Sequence, residues 1–165
     1  MSGWDGMIDA MLAEFREPFS TVALGTALAR LLVASLLGAA LGIDREMLGK
    51  SAGLRTHILI SLASCLFALI ALNLVAFGED AAGDALRVDP LRLIEAVTAG
   101  VAFLAAGTVI TGRGGVHGIT TGAGMWMAGA IGLTCGVGNL PLAILATALA
   151  LVVISLMRLV EPRDR

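Results

Sequence analysis

Five long apolar runs dominate the chain, over residues 21–43, 58–77, 91–110, 119–137 and 142–160. A hydrocarbon core of about 30 Å needs ~20 helical residues to cross it, so each run predicts one membrane-spanning α-helix. Polar stretches separate them: DREMLGKSAGLRTH over 44–57, the acidic GEDAAGDALRVDP over 78–90, the turn TGRGGVHG over 111–118 and GNLP over 138–141. Ahead of the first run, Trp4, Met7, Ile8, Met11, Leu12 and Phe15 recur at helical spacing, with Asp5, Asp9, Glu14 and Glu17 on other faces, until Pro18 stops the pattern. That segment is too short and too acidic to span. It predicts an amphipathic helix over 1–18 that lies on the membrane or packs on its own bundle. The expected fold class is therefore an all-α integral membrane protein, a compact bundle of about five transmembrane helices over 19–161 with an interfacial helix before it and a short tail, 162–165, after it.

Composition agrees. Hydrophobic residues make up 58% of the 165 and charged residues 15%, against roughly 25% charged in soluble domains, and mean hydropathy is +0.92. The length fits one domain and leaves no room for a separate soluble one. A formal charge of -2, with no basic tail and no aromatic-basic interleaving, gives no basis for nucleic-acid binding. Cys65 and Cys135 both fall in apolar runs without metal-ligand spacing, so small apolar packing is their expected role, and neither a disulfide framework nor a metal site is expected.

Lys and Arg set the orientation. Arg45, Lys50, Arg55, Arg113, Arg158, Arg163 and Arg165 share one side of the predicted topology, and Arg16, Arg87 and Arg92 share the other. That places the amino terminus outside and the carboxyl terminus in the cytoplasm of an inner-membrane protein, which an odd number of spans satisfies.

Glycine is concentrated where helices should be unbroken: residues 100–138 hold twelve of the chain's 21 glycines. Each interior Gly costs a water-soluble helix roughly 1 kcal/mol relative to Ala, but small residues let helices in lipid approach closely. Gly118, Gly122, Gly129, Gly132 and Gly136 keep to one side of the fourth run, and Ala96, Gly100 and Gly107 repeat the spacing on the third. The first run carries Ala34, Gly38 and Gly42. The expectation is that the third and fourth helices pack face to face, with Trp126 filling the gap the glycines leave.

Two sets of polar residues are candidates for chemistry. Arg30 and Glu95 lie within spans, where an ionisable group normally faces a partner or a water-filled cavity; at 1.5 Å per residue they sit roughly 13 and 6 Å below the outer boundary, close enough in depth to pair. Such a pair would either fix helix register or relay a proton or cation. The second set is the cytoplasmic rim, formed by Asp44, Arg45, Glu46, Lys50, Arg55, Thr56 and His57 with Arg113 and His117 from the other inner turn. It is a plain lipid-facing positive rim or a site for a partner or small anion, and the mixed signs of Asp44, Arg45 and Glu46 favour specific pairing. Thr120 and Thr121 can bond within their helix or across it. No nucleophile-base pair, phosphate loop or carboxylate dyad is present, so no enzyme and no cofactor are expected.

The stretches ARLLVASLLGAALGIDRE, GKSAGLRTHILI, DPLRLIEAVTAGVAFLAAG and GITTGAGMWMAGAIGLTCGVGNLPLAI, in that order over residues 29–145, resemble the MgtC/SapB family of bacterial membrane proteins. The resemblance implies about five spans and a non-enzymatic role in adaptation to low magnesium or related stress, through other membrane proteins including ATP synthase. The glycine faces, for their part, can close within one chain or between two copies, which leaves a homo-oligomer open. By position, Arg30, Asp44, Arg45, Glu46, Arg55, Thr56, His57, Thr120, Thr121 and Trp126 match motif positions. Ala102 and Ala105 stand where the family commonly has Gly, Asp44 where it has Glu, and Gly122 and Gly124 where it has Ala or Ser. Many members carry a soluble domain after the spans; the expectation here is the hydrophobic domain without it. The remaining alternative is a magnesium, cation or proton transporter using Glu95 and Arg30.

Overall fold

The computed structural model describes residues 21–82, 89–112 and 115–160, with positions 4, 6–9 and 12 near the amino terminus. Five helices follow one another: α1 (Leu24–Met47), α2 (Leu54–Ala82), α3 (Pro90–Ala106), α4 (Ile119–Gly136) and α5 (Leu140–Val160). Between α3 and α4 lies a small antiparallel hairpin, β1 (Ile110–Gly112) with β2 (Gly115–His117), pairing Ile110 with His117. Most of the expected amphipathic helix, and Arg113, lie outside the described residues.

The fold is all-helical apart from that hairpin. Among the described residues, three stretches are long and apolar enough to cross a bilayer: Leu24–Met47, Leu54–Ala76 and Leu140–Met157. Helix α3 has 17 residues and the 18 of α4 are rich in Gly and Thr, so neither meets that test.

The helix ends differ from the apolar runs for identifiable reasons. Residues 44–47 and 54–57, read from sequence as loop, complete α1 and open α2. Gly49, at φ 60°, supplies the left-handed residue that ends α1; its N–H bonds to Glu46 O at 3.0 Å and Lys50 N–H to Arg45 O at 3.1 Å, the paired pattern of a Schellman stop. Gly138, at φ 93°, ends α4 in the same way, with Asn139 N–H on Thr134 O. Asp89 caps α3 by accepting from Leu91 N–H at 3.0 Å. The third apolar run stops being helical at Gly107, and its β-branched Ile110 goes into the hairpin.

Helix α2 lies at the centre, packed on α1 and on α4. The glycine faces turn towards it. A Cβ on Gly38 would sit 2.8 Å from His57 O and Ser61 Cβ, one on Gly42 2.8 Å from Leu54 Cα, and one on Gly136 2.6 Å from Cys65 O; one on Gly132 would collide with Ser61 O. Ser61 also donates to Ala34 O across the α1–α2 contact at 2.8 Å, and the Thr21 hydroxyl donates to Asn73 Oδ1. The expected α3–α4 glycine seam is thereby corrected. Helix α3 reaches α4 through Ala105 opposite Gly122 and Val101 opposite Gly129, while a Cβ on Gly100 would meet nothing within 4 Å and one on Gly107 only its own preceding turn. The buried stripe of α3 is Val97, Val101 and Ala105, and these branched and small apolar residues set its distance from α4.

Candidate functional site

Two ends of the bundle hold its polar chemistry. At the end where α4 finishes, Arg30 of α1 extends its guanidinium so that Nη1 donates to Gly136 O at 2.8 Å, and Gly138 leaves room for it. The last carbonyls of a helix are unsatisfied and carry the negative end of its dipole, so an Arg there is both a hydrogen-bond donor and a complementary charge. Glu95 is elsewhere, exposed on the outer side of α3 with Arg92 exposed near it. No ion pair joins Arg30 and Glu95. The expectation matched them in depth, but Arg30 faces the end of α4, and α3 packs on α4 and α2.

At the opposite end the last turn of α1 meets the first turns of α2 and α4. Glu46 folds back over the short α1–α2 connection, and its Oε2 accepts from Leu54 N–H at 2.9 Å. Gly53 makes this possible, because a Cβ there would collide with that carboxylate oxygen. Glu46 is therefore a cap for α2, and Glu46→Ala should cost about 1 kcal/mol, in the range of lost helix caps. A thermal melt in detergent followed by circular dichroism checks this; Glu46→Gln, which keeps an acceptor oxygen, should lose less than half as much.

Beneath the cap, His57 is fully buried. Its Nδ1–H donates to Gly53 O at 2.8 Å, and Nε2, which finds no hydrogen-bond partner among the described residues, faces Gly124 of α4. Arg45, 7% exposed, lies beside Asp44, with Nε 3.9 Å from Asp44 Oδ2. Arg45 also heads a cleft of about 450 Å³ between α1, α4 and α5, into which Thr120 and Gly124 project from α4.

Of the rim residues expected from sequence, Asp44, Arg45 and His57 are brought together around the start of α2. Lys50, Arg55 and His117 are exposed around them, and Thr56 is half-buried. Thr120 is exposed at the cleft and Thr121 is buried. Trp126 is 53% exposed and fills no gap between glycines; it lies at the edge of the buried arc of α4. Two residues that shape this region, Ser61 and Ser64, both buried on α2, escape the sequence reading, and Gly124 enters it only as a departure from the family pattern. The His57, Ser61, Ser64, Cys65, Ala68 series, at helical spacing, was the signal available.

The family model described as the MgtC family matches residues 31–163. The chain belongs to the MgtC family. Its MgtC-family relatives include YhiD of Escherichia coli K12, 36% identical over 125 residues, covering 76% of this chain and 57% of that one. SrpB of Synechococcus elongatus is 35% identical over 134 residues, covering 76% of this chain and 71% of SrpB. MgtC of Brucella abortus is 32% identical over 125 residues, 76% and 48% of the respective chains. The chain thus spans a little over half the length of YhiD and about half of that MgtC. No solved structure matches it. Membership and the three long apolar helices together identify a bacterial membrane protein of the MgtC family.

Proposed function

We propose that this chain is a non-enzymatic inner-membrane protein that acts in magnesium limitation or related stress by binding another membrane protein. In this reading all five helices cross the bilayer, with the amino terminus outside and the carboxyl terminus in the cytoplasm. The boundaries of 1–18, 19–161 and 162–165 are its surface helix, its membrane domain and its tail.

The observation that carries the reading is the exposed position of Glu95 on α3. A carboxylate at membrane depth normally faces its own bundle or a watery cavity; here it faces outward, next to Arg92 and above the small outer residues Ala96, Ala99 and Gly100. A partner helix that brings a basic or hydrogen-bonding group, and that packs closely on those small residues, satisfies Glu95 as lipid cannot. ATP synthase is the partner the family resemblance offers, and homo-oligomerisation is the alternative use of the same face.

Transport is the second reading, favoured by the name of YhiD, which proposes magnesium transport for that protein. Magnesium takes near-octahedral oxygen ligands, and a transporter builds its midplane site from several such groups on broken helices. Purified protein in liposomes is expected to pass neither magnesium nor protons above the empty-vesicle background, while Glu95→Gln lowers co-purification with ATP synthase several-fold. Flux that Glu95→Gln abolishes would sink the binding reading in favour of transport.

A further inference from the structure

Two charges of opposite sign stand one turn apart on the outer face of α3: Arg92 and Glu95, both exposed. Among the described residues neither enters an ion pair. Arg92 precedes Glu95 along the helix, the weaker order for a pair within one helix. Beyond them the face is small, with Ala96, Ala99 and Ala106 exposed and one large side chain among them, Phe103, 80% exposed. From Arg92 through Ala96, Ala99 and Phe103 to Ala106 the steps alternate between four and three residues, the spacing of a helix that pairs with another along a single seam. This seam lies opposite the buried stripe of Val97, Val101 and Ala105.

Lipid tails are as apolar as a side chain, so exposure of Phe103 decides nothing by itself. The charges decide what covers the face. Its occupant must offer a cation to Glu95 and an anion to Arg92, and a second copy of this chain offers both. Membrane insertion gives every copy the same orientation, so two copies meet as parallel helices about a two-fold axis along the membrane normal, each presenting the same patch. Helical side chains lean towards the amino terminus of their helix. Glu95 of one copy therefore leans towards the level of Arg92 in the other, about 4.5 Å along the axis, and symmetry makes the pair twice. Two turns further on, Phe103 is a knob that enters the hole bounded by Ala99, Ala102 and Ala106 of the second copy. Alanines there leave the space that a ring needs.

We propose that a second copy of this chain covers the α3 face, joined by two Arg92–Glu95 pairs and by Phe103, and that this dimer closes the face to any other helix. The proposal rests on the reading of α3 as a binding surface and adds its regulation. A seam one helix wide, about 10 Å, takes one occupant at a time, so a partner reaches Glu95 only when the dimer parts.

Cross-linking of the full chain in liposomes tests it. Cys65 and Cys135 are fully buried, so an added cysteine reports alone. Copies carrying Ala99→Cys, treated with copper phenanthroline, should cross-link at least fivefold more than copies carrying Leu142→Cys, at an exposed position of α5. With the Ala99→Cys reporter, Arg92→Glu alone and Glu95→Arg alone should each lower the yield at least fivefold. A mixture of the two should restore it, because each pair then joins opposite signs again. Phe103→Ala should lower the yield several-fold. A cross-link as weak as that of Leu142→Cys, or a mixture no better than the single variants, would overturn the dimer. Closure of the face is read separately: the Ala99→Cys protein should co-purify with ATP synthase several-fold less when cross-linked than when reduced, and equal recovery would overturn the closure. No recovery in either state would refute the binding of that enzyme and not the dimer, which the cross-links decide.

Discussion

Replacing Gly132 with alanine, the smallest possible change, should destabilise the protein by more than about 3 kcal/mol, at or beyond the upper end of ordinary overpacking. The reason is what the new methyl meets. It would collide with Ser61 O and stand 2.8 Å from Ser61 C, both backbone atoms of α2, which no rotamer change can move. Either α4 rotates or α2 and α4 part along the contact where Gly136 meets Cys65 O and Ala68 Cβ, and parting would also disturb the Ser61 bond to Ala34 O. Gly132→Leu should fail to fold. Gly100→Ala is the control: a Cβ there meets nothing within 4 Å, and alanine is the better helix former by roughly 1 kcal/mol, so that variant should be as stable as the parent or slightly more so. Unfolding in a mixed-micelle titration measures both. A Gly132→Ala protein as stable as Gly100→Ala would refute the α2–α4 contact.

Arg30 should be the most costly charge to remove. Arg30→Met takes away the donor to Gly136 O and leaves the end of α4 with an unanswered carbonyl; hydrogen bonds to charged groups contribute about 1.5 to 3 kcal/mol, and the lost dipole complement adds a few tenths or more. Arg30→Glu should be worse, since it sets a negative charge against the negative end of α4. The decisive measurement is the exchange Arg30→Glu with Glu95→Arg. If the two side chains were partners, the exchange would restore stability; with Arg30 of α1 bonded to the end of α4 and Glu95 on the outside of α3, it should remain as unstable as Arg30→Glu alone.

These two cases also mark how far the amino-acid pattern could be read. Depth along a helix is legible, because the rise per residue is constant, and it placed Arg30 and Glu95 at comparable levels. Which neighbour a face turns to is not legible from one helix alone. The glycines of α4 were recognised as a contact surface from their spacing, yet their main partner is the Ser61, Cys65 and Ala68 face of α2, whose residues are small without being conspicuous. Gly100 and Gly107 have a matching spacing and pack on nothing outside their own helix. The rim was recognised as a group of charged residues, but its division of labour was not: Glu46 caps a helix, Arg45 heads a cleft and Lys50 stays outside. That division follows from Gly49 and Gly53, which turn the chain tightly enough to fold Glu46 back onto α2.

The burial of α4 bears on how the protein is made. A nascent segment is released sideways into lipid when its own residues prefer hydrocarbon, and the Gly- and Thr-rich sequence of α4 offers little such preference; α1, α2 and α5 have it in full. What makes α4 at home in the bundle is α2, already synthesised and presenting the complementary small face. In the proposed five-span topology, α4 would therefore owe its place in the membrane to assembly on α2 more than to its own hydropathy.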